Sequence, residues 1–189
     1  DLEKYLAEKS EEKRYTIKSN AMTPSRVLLS SSDKSSIIAY ARLLFSRGPV
    51  LLEDYINGIN VTATLFLDRN GYLLLPLASE YTHVSHYEGT PTGGMGAIAP
   101  IPLKEEGKNE IKERIIEPLL KGMKEEGISY KGVMTLSLVI SDNGPYLVDF
   151  HVRLNDPATQ AMVPIIKTDV MDIMMAMKED KLSTLKLET

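Results

Sequence analysis

A sequence of 189 residues with 43% hydrophobic and 25% charged side chains has a globular makeup, long enough for one sizeable core or two small lobes. Its 22 basic and 26 acidic residues leave a formal charge of −4, which gives no electrostatic case for nucleic acid or an anionic membrane as partner. Cysteine is absent, which excludes disulfides and thiolate metal sites and fits a reducing, cytoplasmic setting; no apolar run approaches a membrane span and no basic-then-apolar leader opens the sequence.

DLEKYLAEK reads as the tail of a helix with Leu2, Tyr5 and Leu6 on one side, and the lack of an entry segment makes an upstream portion an expectation. RYTIKS and RVLLSS read as short strands joined by the small-residue link SNAMTPS. Asp33 can cap a helix whose stripe is Ile37, Ile38, Ala41, Leu44 and Phe45, with Gly48 as the stop. PVLLEDYI, residues 49–56, reads as a buried strand. Val61, Ala63, Leu65 and Leu67 alternate into a hairpin, and Asn70-Gly71 offers the positive φ angles of a tight turn.

Residues 79–103 lack periodicity and read as a long loop. Residues 104–126 read as the longest helix, striped by Ile111, Ile115, Ile116, Leu119, Leu120 and Met123, kinked at Pro118 and ended by Gly127. A second hairpin follows, with Met134, Leu136, Leu138 and Ile140 alternating, a turn at residues 142–144, and YLVDFH returning. Asp169 can cap a last helix striped by Val170, Ile173, Met174 and Met177. Adjacent hairpins predict antiparallel sheets with helices on one side, an α+β layout.

Four features invite chemistry. In the returning strand an extended backbone sends Asp149, His151 and Arg153 to one face and Tyr146, Val148, Phe150 and Val152 to the other, with Asn155 and Asp156 close behind. Antiparallel sheets often have one wet face, so solvation is the plain explanation. A carboxylate, an imidazole and a guanidinium in line also suit a cation-bound phosphate. TGGMGA, residues 92–97, would let backbone N–H groups approach an anion, although it matches neither the Walker nor the dinucleotide spacing and a plain loop is the simpler reading. His83 and His86, with Glu88 nearby, suggest zinc, but an irregular loop does not fix both rings and surface histidines are the favoured reading. Lys18 and Arg26 bracket the SNAMTPS link, with Glu53 at the end of a strand, where a lysine could meet phosphate.

Taken in order, PTGGMGAIAP at 91–100, LVDFHVRLNDPATQAMVPIIKTD at 147–169 and VLLEDYINGINVT at 50–62 resemble the ATP-grasp ligases, most closely the phosphoribosylamine–glycine ligase family. The corresponding family patterns read NTGGMGA-x-x-P, E-F-N-x-R-x-G-D-P-E-T-Q and V-x-x-E-E-F-x-x-G-E-E. The proline-containing helix has the family's look too, so the resemblance covers nearly the whole chain. It implies an α+β ATP-grasp fold of two lobes holding ATP between them: residues 1–57 a partial small lobe on the lid side, and residues 58–189 a larger lobe on the metal and substrate side. The implied reaction activates the carboxylate of glycine as an acyl phosphate for attack by phosphoribosylamine, a step of purine biosynthesis. It needs ATP and Mg2+, with Mn2+ as the substitute cation, and no nucleic acid or membrane. Further N- and C-terminal lobes of the same enzyme would be partners.

By position in the family, Lys18 and Arg26 resemble the phosphate-facing cations. Glu53, Asp54, Tyr55 and Ile56 resemble the adenine hinge, with Asn60 where a second glutamate is usual. Asp149 and His151 occupy the magnesium-binding positions, and Arg153 and Asp156 those nearest the chemistry. Thr92, Gly93, Gly94, Met95, Gly96, Asn155 and Pro157 would face substrate. The chain departs from the pattern in several places. Ala21, Ser25 and Val27 stand where lid glycines are expected, Asp149 replaces a glutamate, and His151 is an unusual ligand for a hard cation. ASEYTHVSHYEGT lacks the family's basic cluster. Two alternatives stay open: a degenerate ATP-grasp module that binds nucleotide or a protein partner without ligating, and a ligase with another acceptor.

Overall fold

The computed structural model describes residues 2–10, 12–20, 28–82 and 92–189, which fall into two compact units. The first unit takes residues up to Ile56 together with Thr82–Gly93; the second takes Asn57–Tyr81 and Gly94–Thr189.

In the first unit, α1 (Leu2–Ala7) is followed by β1 (Tyr15–Ser19), β2 (Leu28–Ser31), α2 (Lys34–Phe45) and β3 (Val50–Asp54). The three strands form an antiparallel sheet ordered β2–β1–β3. Tyr15 and Ile17 point from β1 into a core completed by Leu6, Ile37, Ala41 and Leu44, so the helical stripe buries its centre. Phe45, at the end of that stripe, is exposed. The Asp33 side chain caps α2 by accepting from the backbone N–H groups of Ser35 and Ser36, both at 3.1 Å. The expectation of a buried strand at 49–56 is corrected. Among the described residues β3 pairs with β1 alone and is an edge strand, and Leu51, the partner of Lys18 on the sheet face opposite the Ile17 core, is exposed.

The second unit is built on a four-stranded antiparallel sheet ordered β5–β4–β8–β9, from β4 (Ile59–Leu67), β5 (Tyr72–Leu74), β8 (Gly132–Ser141) and β9 (Gly144–His151). Both hairpins form as read. Their turns are made differently. Neither Asn70 nor Gly71 has a positive φ; instead Asp68 Oδ1 accepts from both of their N–H groups at 2.8 Å, so a side chain closes the turn. The turn into β9 does use left-handed backbone, at Gly144 with φ 100°.

One face of this sheet carries Val61, Ala63, Leu65, Leu67, Met134, Leu136 and Leu138, packed on Ile111 and Ile116 of the long helix. That helix runs from α3 (Glu105–Ile111) through a π-helical turn (Lys112–Ile116) into α4 (Glu117–Glu125). The widened turn sits just before Pro118, which has no N–H for the Arg114 carbonyl and whose ring crowds it; the expected kink takes this form. On the opposite face Phe66 and Leu73 meet α5 (Ala158–Met162) and α6 (Val170–Lys178) through Ala158, Met162 and Ile173. Helices therefore cover both faces, where one was expected: Phe66 and Leu73 supply an apolar end to the second face. The helix α5 had no sequence expectation, and Asp169 caps α6 as read, accepting from Met171 N–H at 2.7 Å. Among the described residues no helix is long and apolar enough to cross a membrane.

Within residues 79–103 the structure adds a short antiparallel pair, β6 (Ser79–Tyr81) with β7 (Gly96–Ile98). Residues 83–91, which include His83, His86 and Glu88, lie outside the described residues, as do residues 21–27, which include Ala21, Ser25, Arg26 and Val27.

Candidate functional site

On β4 the residues that face away from the Val61–Leu67 core side are Thr62, Thr64 and Phe66, and their partners on β8 are Ser137, Thr135 and Val133. Thr62, Thr64 and Thr135 are nevertheless buried, so half of this face is polar and covered. Their hydroxyls are used: Thr64 and Thr135 lie 3.3 Å apart, and Thr135 donates to the Arg153 carbonyl at 2.9 Å.

Strand β9 extends this face. His151 pairs with Thr135 and Asp149 with Ser137, so both side chains belong to the threonine side of the sheet, as the spacing predicted. The strict alternation does not continue. The register shifts between Ser137 and Leu138, leaving Val148 as an extra residue, and Tyr146 then pairs with Val139 on the same side as Asp149. The four hydrophobic residues expected on one apolar face are thus split; Tyr146, Phe150 and Val152 are exposed. Strand β9 ends at His151, which takes Arg153 out of the strand pattern. Its guanidinium donates to the Leu154 carbonyl at 3.1 Å.

The chain then turns through Asn155, Asp156 and Pro157. Asn155 is buried, and its amide nitrogen donates to Glu80 Oε1 at 3.3 Å. Thr62 donates to the same oxygen at 3.0 Å. Asp156 accepts from the Gln160 amide at 2.9 Å, one helical turn on. The glycine loop lies directly against this turn. Gly94 has φ 139°, and a Cβ there would sit 2.7 Å from Pro157 Cδ, so the backbone fits only because no side chain is present. Met95 N–H donates to the Tyr81 carbonyl at 2.7 Å, and Gly96 pairs with Tyr81. Two motifs about sixty residues apart in the sequence, TGGMGA and NDPATQ, therefore meet through Gly94 and Pro157.

Glu80 and Thr62 were not singled out as site residues from the sequence, although they tie β6, β4 and the 155–157 turn together. A signal was available: threonines at 62, 64 and 135 opposite apolar neighbours mark a polar face on both central strands. Asn60 contributes its carbonyl, which accepts from Ser79 Oγ at 2.8 Å.

The first unit gathers the other predicted residues. Lys18 Nζ lies 2.8 Å from Glu53 Oε1. Asp54 pairs with Lys13 at 2.9 Å, and the Arg14 guanidinium stacks 4.1 Å from the centre of the Tyr55 ring. Tyr55 N–H donates to the Arg14 carbonyl at 3.1 Å, and Ile56 ends the unit's first segment. Thr92 closes onto Thr82, whose carbonyl accepts from its N–H at 2.6 Å and its hydroxyl at 2.8 Å. Gly93 follows as the last residue of this unit. Arg14 and Lys13 were not singled out from sequence, since basic residues ahead of a strand carry no distinguishing pattern.

Among the described residues no group of three histidine, aspartate or glutamate side chains is placed to hold a metal ion. Asp149 and His151 supply one carboxylate and one imidazole on one strand face. Such a pair does not make a protein-only cage, but it suits a cation that brings its remaining ligands on nucleotide phosphates. The Asp149 carboxylate also accepts from the Phe150 N–H at 2.9 Å.

Similarity to solved structures defines the class. The chain overlays the biotin carboxylase domain of the 2-oxoglutarate carboxylase from Hydrogenobacter thermophilus, solved with MgADP and bicarbonate. The TM-score is 0.65 at 18% identity, over 95% of this chain and 39% of that one. It overlays the phosphoribosylamine–glycine ligase of Thermotoga maritima with a TM-score of 0.79 and 25% identity, over 99% of this chain and 48% of that one. The fold is α+β ATP-grasp.

Within that class the chain belongs to the family of the phosphoribosylglycinamide synthetase ATP-grasp (A) domain, whose model matches residues 1–159. It is 40% identical over 141 residues to the phosphoribosylamine–glycine ligase of Caldanaerobacter subterraneus subsp. tengcongensis, a match covering 74% of this chain and 34% of that protein. The chain spans about a third of the length of this curated relative.

Proposed function

We propose that this chain is the ATP-grasp portion of a ligase that joins glycine to 5-phosphoribosylamine through an acyl phosphate, a cytoplasmic step of purine biosynthesis. The observation that carries the reading is the seating of Gly94 against Pro157, which brings the two motifs of the family onto one polar, covered sheet face. The names of its relatives support the same reading.

In this assignment residues 1–57 are the lid-side lobe and residues 58–189 the metal and substrate lobe. Lys18 and Arg26 face the nucleotide phosphates, Glu53 to Ile56 form the adenine hinge, and Asn60 follows it. Asp149 and His151 hold the magnesium or manganese ion that ATP carries, and that ion neutralises phosphate charge. Arg153 and Asp156 stand nearest the reacting groups, with Arg153 offsetting charge on the transferred phosphoryl. Thr92, Gly93, Gly94, Met95, Gly96, Asn155 and Pro157 line the substrate side. Further lobes of the same enzyme are the expected partners.

The test is ADP release by the chain with MgATP, glycine and phosphoribosylamine. Release that requires both substrates supports the ligase. A thermal shift with MgATP but no release leaves a binding module, and release with another amine replaces the acceptor. The absence of any MgATP effect at millimolar concentration ends every nucleotide reading.

A further inference from the structure

Three asparagine–glycine pairs occur in the chain: Asn57–Gly58, Asn70–Gly71 and Asn143–Gly144. The backbone nitrogen of the following residue can attack an asparagine side-chain amide, and glycine obstructs that approach least because it has no Cβ. Reaching the amide requires the peptide plane between the two residues to turn, so hydrogen bonds on that plane oppose it. Two of the pairs are held. Gly71 N–H donates to Asp68 Oδ1 at 2.8 Å, and the Asn70 amide nitrogen donates to the Asp180 carbonyl at 2.8 Å. The Asn143 carbonyl accepts from Arg114 Nη1 at 3.0 Å, and Gly144 is buried opposite Ser141 in the hairpin. The third pair is not held. Asn57 and Gly58 are both exposed and lie just ahead of β4. Among the described residues neither the Gly58 N–H nor the carbonyl or side chain of Asn57 takes part in a hydrogen bond.

We propose that Asn57 is the modification site at which the folded chain deamidates spontaneously. The Gly58 nitrogen bonds to Asn57 Cγ, the bond from Cγ to Nδ2 breaks, and ammonia leaves with the proton that the Gly58 nitrogen gives up. The product is a succinimide ring. Water then opens one of its two carbonyls, giving either aspartate or isoaspartate, in which the main chain passes through the former side chain; water is the one reagent consumed. The glycine of this pair is demanded by packing, since a Cβ at Gly58 would run into the Ile140 carbonyl, so the fold itself retains the reactive pair. Asn57 is the first residue of the second unit, directly after Ile56. The isoaspartyl form adds a backbone methylene and a carboxylate at that step, next to Glu53–Ile56. The assignment of those residues to an adenine hinge rests on the ligase reading; the reaction at Asn57 does not.

The experiment is peptide mapping by mass spectrometry of the chain aged in mildly alkaline buffer, with and without denaturing urea, beside Asn57→Gln treated in the same way. In the folded chain, conversion at Asn57 is expected to be at least about tenfold faster than at Asn70 or Asn143, where hydrogen bonds must first open. In urea the three rates are expected to draw together. Asn57→Gln, whose side chain is a methylene too long for the succinimide ring, is expected to lose the fast release of ammonia while calorimetry shows it folded. Asn70 or Asn143 converting as fast as Asn57 in the folded chain overturns the proposal, and so does undiminished ammonia release from folded Asn57→Gln. Fast conversion at Asn57 in a chain without any MgATP response supports the site and overturns the ligase reading. Equal rates at the three pairs in a folded chain that does respond to MgATP overturn the site and leave the ligase reading standing.

Discussion

Lys18 Nζ lies 2.8 Å from Glu53 Oε1, across the paired strands β1 and β3, with both side chains partly shielded. Thr16 is the direct partner of Glu53, and Lys18 reaches it along the diagonal on one face of the sheet. The pair joins two residues assigned to nucleotide binding from separate stretches of sequence. Ion pairs of this exposure contribute about 0–1 kcal/mol. Lys18→Met is therefore expected to leave stability within about 1 kcal/mol of the parent. Its MgATP affinity should fall about ten- to a hundredfold, the worth of one charge-assisted contact. Urea denaturation and calorimetric titration on the same preparation check both halves, and unchanged affinity would remove Lys18 from the site.

The glycine loop offers a sharper contrast. Gly94→Ala must place a Cβ 2.7 Å from Pro157 Cδ at φ 139°, whereas a Cβ at Gly93 or Gly96 meets nothing within 4 Å. Gly94→Ala is expected to cost about 1–3 kcal/mol. Gly93→Ala and Gly96→Ala should each stay within about 0.5 kcal/mol, as surface substitutions generally do. Denaturant midpoints of the three variants decide the matter; equal effects would contradict the contact between loop and turn.

Asp149 is the better metal ligand of the β9 pair, being an oxygen donor. Asp149→Ala is expected to abolish most of the difference in nucleotide affinity between solutions with and without magnesium. His83→Ala, at a position outside the described residues, should leave that difference intact. Titrations in magnesium and in a chelator measure it, and equal losses in both variants would count against the assignment.

Asp68 is 8% exposed and accepts from three backbone N–H groups: Asn70 and Gly71 through Oδ1, and Leu182 through Oδ2 at 2.7 Å. It ties the β4–β5 turn to the segment that follows α6. Asp68→Ala leaves these donors without their partner, at roughly 1–3 kcal/mol for a buried one. A thermal midpoint several degrees lower is the expected reading. Asp68→Asn keeps one acceptor oxygen and is expected to fall between Asp68→Ala and the parent.

Hydrogen bonds from the Ser36 and Ser35 hydroxyls, then from the Ser35 N–H, hold the Asp33 carboxyl down to about 2, against an ordinary value of 3.8. The folded chain therefore binds fewer protons here than the unfolded chain between those values. The contribution of Asp33 is full above the ordinary value and is lost as pH falls toward 2. Asp180 is also lowered, first by its hydrogen bond with Lys131 and then by the Arg69 N–H, and acts in the same direction. Asp33→Asn keeps the cap at neutral pH and is expected to flatten the acid limb of a stability–pH curve; a limb of unchanged slope would refute the account.

Much of this protein was legible in its residues because the signals are local. The two hairpins followed from period-two alternation, the Asp33 and Asp169 caps from a short polar side chain ahead of a helical stripe, and an irregularity at Pro118, expected as a kink and found as a π-helical turn, from a missing N–H. Each depends on residues a few positions apart. Alternation also placed Asp149 and His151 together, since their partners Ser137 and Thr135 lie two apart.

Tertiary structure decided what depends on distant neighbours. No local rule shows that an extra residue at Val148 splits the expected apolar face, that β3 is an edge, or that Asp68 closes a turn that Asn-Gly chemistry alone would have drawn otherwise. Glu80 became part of the site only because strand pairing sets Thr62 beside Ala78, and the turn after β9 brings Asn155 to the same carboxylate. The spacing of residues along one strand is set by covalent geometry, which a sequence carries in full. The meeting of a carboxylate, a hydroxyl and an amide from three separate stretches depends on sheet register and core packing, which only the folded chain supplies.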